Sequence, residues 1–422
     1  MKIAVFTDLY LEIAGGIPSS ISAQKRELEK LGHEVVVFCP GRTKPHEKNV
    51  VLLPTSKFIK INGAPTAKWP GKIVDFIDKN YPNFKQNFDL IHAHYEAGAS
   101  IAAVLLAKKY NMPLVQTMHG REDMAIAVNV PHPFKTIAGW SLNHIHAAYL
   151  KKYTKAPKIK RDNYLANMIC KQNMWQLMAR QANSADQVIT PSQHFAEKLA
   201  KYGVSKPITA VSNGVSDEIV SSRSWRVRTL ESAQNEPLRI ISTCRLSREK
   251  RILPFLEALN LVNQQKPGSF RYTIVGDGND AETARKLAKS YRIDTFCDFK
   301  GAIPHEKVMN MLENQHISIT NSYGFDTQGL TLLEASATGL PVLYCDPDMD
   351  KVVVKGAAIR PKDETPEEMA KTILDILDHP EKITEMSQNA FKNRVSVLQS
   401  SQIKKLLSVY ELAISKNRSS NL

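Results

Sequence analysis

Short apolar runs alternate with longer segments whose apolar residues recur every three or four positions. Such runs, separated by amphipathic segments, are typical of parallel strands joined by helices. The strands predicted in the first half are Ile3–Phe6, Val35–Phe38, Leu90–Ile91, Pro113–Thr117, Gln187–Thr190 and Ile208–Val211. A helix is predicted after the first strand, with Ser19 or Ser20 as its cap and Gly32 at its end.

The alternation is interrupted at residues 221–237, which are polar and have no apolar period, so a linker or surface excursion is predicted there. The strands predicted beyond it are Leu238–Thr243, Tyr272–Val275, Ile317–Ile319 and Pro341–Leu343. Two successive halves of one architecture predict an α/β protein of two doubly wound, Rossmann-like domains facing a central cleft, where ligands meet the carboxyl ends of strands. We place the domains at residues 1–215 and 216–398.

Composition narrows the class of protein. The 422 residues contain no apolar run long enough to span a membrane. Asp8 and Glu12 interrupt the first apolar run too early for a signal peptide. The five cysteines are far apart, which fits free thiols in a reducing compartment. We therefore expect a cytoplasmic protein.

The formal net charge of +14 predicts an anionic partner: nucleic acid, a membrane surface or a phosphorylated substrate. Residues 135–180 concentrate basic residues and interleave them with aromatic ones. Amphipathic helices of this composition lie on anionic bilayers, so a membrane surface is predicted. The cations assigned to it are Lys151, Lys152, Lys155, Lys158, Lys160 and Arg161. A solvated basic face with inward-packed aromatics is the alternative, and nucleic acid is disfavoured because no recognised binding module accompanies the charge.

Candidate chemistry is concentrated in the second half. Arg245 and Lys250 follow its first predicted strand, where two cations can hold a diphosphate and offset charge that develops as a glycosidic bond breaks. A solvated basic turn is the alternative for this loop alone. Asp326 and Glu334 flank a glycine-containing loop that leads into a short helix. Free N–H groups at a helix start suit a phosphate, and carboxylates suit sugar hydroxyls, so the segment predicts a nucleotide-sugar site.

Four segments of this half, in order and spacing, resemble the motifs of retaining glycosyltransferases of family 4. They are Arg245-Leu-Ser-Arg-Glu-Lys250, Val275-Gly-Asp-Gly278, Phe299-Lys-Gly301 and the Asp326-x7-Glu334 pattern. Cys244 and Asp326 stand where the family pattern has Gly and Glu. The resemblance implies the GT-B fold and transfer of a hexose, with retention of configuration, from a UDP- or GDP-linked sugar to a hydroxyl. It implies no metal and no cofactor beyond the nucleotide-sugar co-substrate.

The resemblance also assigns residues. It gives Arg245 and Lys250 to the donor diphosphate, Glu334 to the ribose and Asp326 to the hydroxyls of the donor sugar. The full set predicted to bind the donor is Gly16, Arg245, Lys250, Gly276, Phe325, Asp326, Thr327, Gln328 and Glu334. The predicted catalytic residues are His119, Arg245, Lys250 and Asp326. His119, at a strand end, is expected to bond a donor-sugar hydroxyl, and a structural histidine is the alternative.

The first half is similar to bacterial diacylglycerol glycosyltransferases in Phe6-Thr-Asp-Leu-Tyr10, Gly15-Gly16, Glu27–Glu34 and Thr117–Gly120. This similarity implies a membrane glycolipid acceptor, such as diacylglycerol or its glycoside, and a peripheral position on the inner face of the cell membrane. The residues expected to bind the acceptor are Asp8, Tyr10, Gly15 and Gly16. Residues 399–422 are expected to form a terminal helix that returns to the first domain.

Other interpretations remain open at this point. The acceptor can instead be a cell-surface polysaccharide or a lipid-linked oligosaccharide. The chain can also be a non-catalytic sugar-nucleotide-binding subunit, or an epimerase of the same fold. Asp346-Pro-Asp348 imitates a metal-binding motif but is predicted on a proline-containing loop. The pairs His92/His94 and His144/His146 are predicted to be structural.

Overall fold

The computed structural model describes residues 1–10, 15–43, 47–61, 64–155, 157, 159, 162, 165, 168–222, 225–231 and 236–419. It divides into two compact units. The first consists of Met1–Asn213 together with Gln402–Leu422, and the second of Gly214–Ser401. Within the described parts of the chain, no helix is long and apolar enough to cross a membrane.

A seven-stranded parallel sheet organises the first unit. Its strands lie in the order β3-β2-β1-β6-β7-β8-β9. The strands of this unit are β1 (Lys2–Thr7), β2 (Glu34–Pro40), β3 (Val50–Leu53), β4 (Thr55–Ile61), β5 (Ala64–Ala67), β6 (Leu90–His94), β7 (Leu114–Thr117), β8 (Gln187–Thr190) and β9 (Ile208–Ala210). Strands β4 and β5 form a separate antiparallel hairpin.

Helices connect these strands and cover both faces of the sheet. They are α1 (Gly16–Lys30), α2 (Pro70–Asn80), α3 (Phe84–Asn87), α4 (Gly98–Tyr110), α5 (Glu122–Asn129), α6 (Phe134–Leu150), α7 (Ile169–Asn183) and α8 (Gln193–Lys201). The prediction that Ser19 or Ser20 caps α1 is wrong, because the helix begins at Gly16. Pro18 is compatible with a first helical turn, so the helix can start before the serines.

Alternate residues of β1 pack on opposite faces of the sheet. Ile3 and Val5 belong to the same apolar cluster as Tyr410 of the terminal helix. Ala4 and Phe6 belong to the cluster that covers the other face. Because both faces are covered, the strand is apolar throughout rather than alternating, which is why its sequence predicts a parallel sheet.

The second unit contains a six-stranded parallel sheet in the order β12-β11-β10-β13-β14-β15. Its strands are β10 (Leu238–Thr243), β11 (Phe270–Val275), β12 (Cys297–Gly301), β13 (Ile317–Thr320), β14 (Val342–Tyr344) and β15 (Ala358–Ile359). Its helices are α9 (Asp217–Ser221), α10 (Ile252–Gln265), α11 (Ala281–Ser290), α12 (His305–Leu312), α13 (Leu330–Ala337), α14 (Pro366–Asp378) and α15 (Glu381–Asn393). Short 3₁₀ turns occur at Arg248–Lys250, Asp294–Phe296, Pro347–Lys351 and Arg394–Val397.

The predicted fold class, α/β with two doubly wound Rossmann-like domains, is confirmed by these two sheets. The interpretation of 221–237 as a linker is wrong for part of the segment. Arg228 is buried, and its guanidinium donates to the carbonyls of Gln315 and Leu312 within the second unit. The cation satisfies main-chain carbonyls there, a role that a polar sequence does not reveal.

The terminal helix α16 (Gln399–Ser419) begins in the second unit, and its residues from Gln402 onwards belong to the first. The hydroxyl of Tyr410 lies 2.8 Å from Nδ1 of His92 in β6. Both side chains are buried, so a polar contact anchors the helix inside the first unit. All five cysteines lie in the described part of the chain, and none of them forms a disulfide there.

Candidate active site

Loops that follow the strands of the second sheet carry most of the predicted donor-binding residues. Arg245 and Lys250 follow β10, Gly276 follows β11, and Asp326 follows β13. Since β10, β11 and β13 are adjacent and parallel, their carboxyl ends meet at one edge of the sheet. Ligands of doubly wound folds bind at that edge.

Two glycines hold the first of these loops in place. Gly276 has φ 135°, and a Cβ on it would lie 1.8 Å from the carbonyl oxygen of Cys244. A Cβ on Gly278 would lie 2.3 Å from the carbonyl oxygen of Leu246. Only glycine permits this close approach. The Val-Gly-Asp-Gly motif therefore supports the backbone that presents Arg245.

An ion pair joins Lys250 to Asp326. The Nζ of Lys250 lies 2.6 Å from Oδ1 of Asp326, and the two side chains are 19% and 11% exposed. The amine also lies 5.4 Å from the centre of the Phe325 ring. Burial is the largest single effect and lowers the pKa of Lys250, but the charge and hydrogen bond of Asp326, with smaller contributions from Cys244 and Glu249, together raise the pKa. Lys250 is thus a fixed positive charge at the strand ends.

Arg245 is held by a carboxylate that the sequence analysis did not assign. Its Nη2 lies 3.4 Å from Oε1 of Glu249, which also accepts a 2.6 Å hydrogen bond from the hydroxyl of Ser247. Glu249 is buried, whereas half of the Arg245 side chain is exposed. The Glu249 carboxylate that holds Arg245 is therefore buried, whereas the Arg245 guanidinium extends to the surface, where an anion can approach it.

Glu334 lies in α13 and pairs with His305, another residue that the sequence analysis missed. Its Oε1 lies 2.7 Å from Nε2 of His305. The helix starts at Leu330, directly after Gly329, which has φ 71°. Asp326 therefore precedes the helix by four residues, and the first-turn N–H groups follow the loop that carries Asp326. Contact of Glu334 with a ribose stays a prediction.

The loop before α13 contains unused hydrogen-bonding capacity. Among the residues that the structure describes, three side chains of this loop, and Glu249 in the loop after β10, have buried polar atoms with no hydrogen-bond partner. These are both amide atoms of Asn321, Oγ of Ser322, Oδ2 of Asp326 and Oε2 of Glu249. Buried polar groups are normally paired, so such a cluster indicates a place where a polar ligand completes the bonding.

The Asp346 carboxylate holds two loops together through backbone hydrogen bonds. Its carboxylate accepts hydrogen bonds from the backbone N–H groups of Gly324 and Asp348, at 2.8 and 3.0 Å. It therefore joins the loop after β14 to the loop that carries Phe325 and Asp326.

Of the residues expected to bind the acceptor, Asp8 caps a helix. Its carboxylate accepts from the backbone N–H of Ala99 at 2.9 Å and that of Ser100 at 3.4 Å, in the first turn of α4. Burial raises the pKa of Asp8 to about 6, although these hydrogen bonds oppose the rise. Tyr10 is buried and its hydroxyl donates to Glu47. Internal contacts thus occupy both groups.

Gly15 precedes α1 in an extended conformation, with φ 165°. A Cβ placed on it would meet nothing within 4 Å. Neither the backbone conformation nor a neighbouring group within the protein requires glycine here. Close approach of a ligand to Gly15 and Gly16 stays a prediction.

His119 lies next to other buried histidines. Its Nε2 is 2.8 Å from Nδ1 of His94, while Nε2 of His92 is 2.7 Å from the hydroxyl of Thr117. Burial lowers the pKa of His119 and of His92 to about 3, so both rings are neutral. A neutral ring can still donate or accept one hydrogen bond, and the proposed contact of His119 with a sugar hydroxyl stays a prediction.

Glu96, which follows β6, is a buried carboxyl whose charge interacts with those of Glu122 and Asp8. Glu96 is 5% exposed, and neither of its oxygens has a hydrogen-bond partner among the described residues. Burial raises its pKa well above the usual value, and the charges of Glu122 and Asp8 add to this. Burial also raises the pKa of Glu122 to about 7, although the Tyr95 hydroxyl bonded to it lowers the pKa. No sequence motif marks this group.

Helix α6 buries polar side chains and exposes several large apolar ones. Gly139, Asn143, His146 and Leu150 recur every three or four positions and form its buried face. Gly139 allows close packing, since a Cβ on it would lie 3.1 Å from Cα of Cys170.

The buried face of α6 is satisfied by polar partners on α7. Asn143 Oδ1 accepts from Arg180 at 2.9 Å, and Nε2 of His146 lies 3.0 Å from Oε1 of Gln181. The apolar side chains point the other way: Phe134 is 62% exposed, Ile137 60% and Trp140 54%. We call Phe134, Ile137, Trp140, Leu142 and Ile145 the outer face of α6.

The cations of the basic segment divide into two groups. Lys151, Lys152 and Lys155 follow α6 and are exposed. Arg180 and Lys171 are buried in α7 and do not belong to a surface. Trp175 is also fully buried, as the solvated-face alternative expects, whereas the outer face of α6 is not. Lys158, Lys160 and Arg161 lie outside the described residues.

Comparison with family models agrees with the two-unit division. Residues 14–219 match the model "Glycosyltransferase Family 4", and residues 226–393 match "Glycosyl transferases group 1". Together these matches cover most of the chain, and the second includes Arg245, Lys250, Asp326 and Glu334.

Individual proteins resemble the whole chain. An alpha-monoglucosyldiacylglycerol synthase of Acholeplasma laidlawii is 25% identical over 92% of this chain and 92% of its own length. The structure of sucrose-phosphate synthase from Thermosynechococcus elongatus superposes with a TM-score of 0.69 and 16% identity, over 98% of this chain and 99% of that one. The Anabaena protein HepE in complex with UDP-glucose gives a TM-score of 0.63 and 16% identity over the full length of both.

Proposed function

The chain belongs to glycosyltransferase family 4, and we propose that it moves glucose from UDP-glucose to the hydroxyl of diacylglycerol or a related membrane glycolipid, with retention of anomeric configuration. The similar Acholeplasma protein carries a glucosyl-diacylglycerol synthase name, and the Anabaena neighbour was solved with UDP-glucose. A GDP-linked donor, which the experiment below tests, and a polysaccharide or lipid-linked oligosaccharide acceptor are the alternatives.

The observation that carries the transferase proposal is the charge arrangement at the strand ends of the second sheet. Lys250 is held by Asp326, and Arg245 by Glu249, in loops that follow neighbouring strands. In the proposed reaction these cations, with the N–H groups at the start of α13, stabilise the diphosphate as it leaves. The acceptor hydroxyl attacks the anomeric carbon from the face that the diphosphate vacates, and a phosphate oxygen takes its proton.

The observation that supports a lipid acceptor is the outer face of α6. Exposed apolar side chains in this number are unusual on a helix whose opposite face buries asparagine and histidine. Lys151, Lys152 and Lys155 follow directly, and cations next to an apolar face favour an anionic bilayer. We infer that α6 lies on the membrane, where the acceptor is found.

The test is transfer by the purified chain. Radiolabelled UDP-glucose is incubated with dioleoylglycerol in mixed micelles that contain an anionic phospholipid, and the lipid product is isolated and its anomeric configuration determined by NMR. The expected product is an α-glucoside. GDP-glucose and UDP-galactose in place of UDP-glucose test the donor.

Three outcomes contradict the proposal in different ways. Binding of UDP without transfer or hydrolysis of any donor indicates a binding subunit. Isomerisation of the free donor sugar without an acceptor indicates an epimerase. A β-glucoside contradicts retention while leaving the transferase function intact.

A further inference from the structure

The first unit contains a cavity of about 480 Å³ beside the start of α4. Its size lies in the range of about 300–1,000 Å³ that is usual for small-molecule sites. The wall is mainly apolar and includes Trp69, Ile101, Leu142, Ile145, Tyr149 and Leu177. A cavity with this lining accepts a largely hydrocarbon ligand.

Glu96 is the acidic residue of the wall, and its state is unusual. It is 5% exposed, and both oxygens lack a partner among the described residues. Burial raises its pKa well above the usual value, which favours the protonated carboxyl. A neutral carboxyl offers one donor and one acceptor, and leaving both unused costs free energy that a polar ligand atom would recover.

The remaining polar lining adds no buried charge. His146 is bonded to Gln181, and burial lowers the pKa of His146 to about 3. Lys68 lines the cavity but is exposed, so its charge is solvated. The cavity near Glu96 and His146 therefore suits an uncharged group and disfavours a phosphate.

The cavity is continuous with the outer face of α6. Leu142 and Ile145 line the cavity and are themselves 47% and 41% exposed. Trp69, on the wall contributed by the segment before α2, is also exposed. Apolar side chains thus connect the surface that we place on the membrane with the interior carboxyl.

We propose that this cavity binds the lipid acceptor: the apolar wall holds the acyl-chain stem of a neutral glycerolipid, and the Glu96 carboxyl hydrogen-bonds to its glycerol hydroxyl or ester carbonyl. This inference rests on the proposed function, because it takes the substrate class from it. It adds the place and the recognising residue, which neither the sequence motifs nor the similar proteins assign.

Binding is tested without turnover. Diacylglycerol with a photoreactive diazirine in one acyl chain is incorporated into vesicles, irradiated with the wild-type chain in the absence of donor, and the labelled peptides are identified by mass spectrometry. Labels are expected in α6 and α7, at or next to Leu142, Tyr149 or Leu177. Labelling confined to other segments overturns the inference.

Variants then test the cavity. Leu177→Trp fills it, and Ile145→Trp does so from a more exposed position if Leu177→Trp folds poorly. Either is expected to lower labelling at least fivefold and to raise the KM for diacylglycerol without changing UDP binding. Glu96→Leu is expected to raise the same KM, while Glu96→Gln, which keeps a donor and an acceptor, retains most of the affinity. Leu31→Trp, at an exposed position outside the cavity, is the control.

The two hypotheses fail separately. If the lipid labels the cavity but no glucolipid forms with any donor, the proposed function is wrong and the binding site stands. If glucolipid forms, yet the filling variants and Glu96→Leu leave both labelling and KM unchanged, the cavity inference is wrong and the function stands.

Discussion

The amine of Lys250 and the carboxylate of Asp326 lie 2.6 Å apart although they are separated by 76 positions in the chain. The pair forms because β10 and β13 are neighbours in the second sheet, so the loops after them meet. It joins a residue proposed to bind the donor diphosphate to one proposed to bind the donor sugar. A bound donor would therefore meet both at once.

Lys250→Ala is expected to reduce turnover at least tenfold, which corresponds to about 1.4 kcal/mol of barrier. The reason is the loss of a fixed cation that stabilises the leaving diphosphate. Turnover is measured with saturating donor and acceptor, and thermal unfolding checks that the variant folds. Lys371→Ala removes an exposed, ion-paired lysine of the same unit and should change neither quantity. Unchanged turnover in Lys250→Ala would show that Lys250 does not stabilise the leaving diphosphate.

Asp326→Ala leaves the amine of Lys250 without its carboxylate, and we expect it to destabilise the protein by about 1–3 kcal/mol, reduced by the partial exposure of both groups. UDP should then raise the unfolding temperature of this variant more than that of the wild type, because a phosphate replaces the lost partner. Thermal unfolding with and without UDP measures both effects. Asp350→Ala breaks an ion pair with Arg360 in the same unit and is the control. Equal UDP shifts in all three proteins would show that Lys250 does not meet the phosphate.

Gly276→Ala is expected to destabilise the second unit by about 3 kcal/mol or more, because the new Cβ would overlap the carbonyl of Cys244 in a strained backbone conformation. Gly268→Ala has positive φ but open space around it, so only about 1–2 kcal/mol is expected. Chemical denaturation compares the two. A similar loss in both variants would mean that the contact with Cys244 is unimportant.

Replacing Ile137 and Trp140 together by Glu is expected to lower binding to anionic phosphatidylglycerol vesicles at least tenfold, since both side chains lie on the outer face of α6.

Lys151→Gln or Lys152→Gln should weaken binding to the same vesicles about fivefold at low salt, because each cation near an anionic surface contributes about 1 kcal/mol of binding free energy. Vesicle co-sedimentation measures both. Val395→Glu changes an exposed apolar residue of the second unit and serves as the control. Binding that all variants retain equally would exclude α6 as the membrane surface.

The buried histidines predict a pH effect on stability. Burial lowers the pKa of His92 to about 3 in the folded chain, against a usual value of 6.5. Between these two pH values the imidazole is protonated in the unfolded chain and neutral in the folded chain. Above pH 6.5 the burial of His92 therefore leaves the free energy of unfolding unchanged with pH. Below pH 6.5 the free energy of unfolding decreases by about 1.4 kcal/mol per pH unit as the pH falls. His92→Gln should make the fall between pH 6.5 and pH 4.5 less steep.

The measurement is the unfolding temperature of both proteins across this pH window. The raised carboxyls Asp8 and Glu122 act in the opposite direction, but they are present in both proteins and cancel in the difference. His379→Gln replaces an exposed histidine and is the control for the substitution itself. Identical slopes for His92→Gln and the wild type would contradict the neutral state of His92.

Local patterns were enough to predict most of the sheet strands. Strands β1 and β10 contain consecutive buried apolar residues, Ile3–Phe6 and Ile240–Ile241, because both faces of each sheet are covered, and such runs are visible along the chain. The hairpin of β4 and β5 was not predicted, since its residues lack a long apolar run. The start of α1 was misplaced because serine is common both at a cap and within a first turn.

The donor-site motifs could be found because each occupies one short segment after a strand. Glu249 was missed although it lies only four positions after Arg245, because their contact depends on the conformation of the loop. His305 was missed because its contact with Glu334 depends on how α12 and α13 lie in the fold. Glu96 has no sequence signal at all. The orientation of α6 was also hidden: helical periodicity shows that two faces exist, but only packing against α7 through Gly139 decides which one is buried.

The amino-acid sequence by itself determined the alternation of strands and helices, the two-sheet architecture and the short loops that carry Arg245, Lys250, Asp326 and Glu334. Tertiary structure alone decided that Asp8 caps α4, that the outer face of α6 is apolar and that Glu96 is buried beside a cavity, where its pKa is raised. The physical reason is the separation along the chain of the residues that interact. Strand and loop propensities arise from neighbouring residues, whereas burial and charge state depend on groups that the fold brings together from distant parts of the chain.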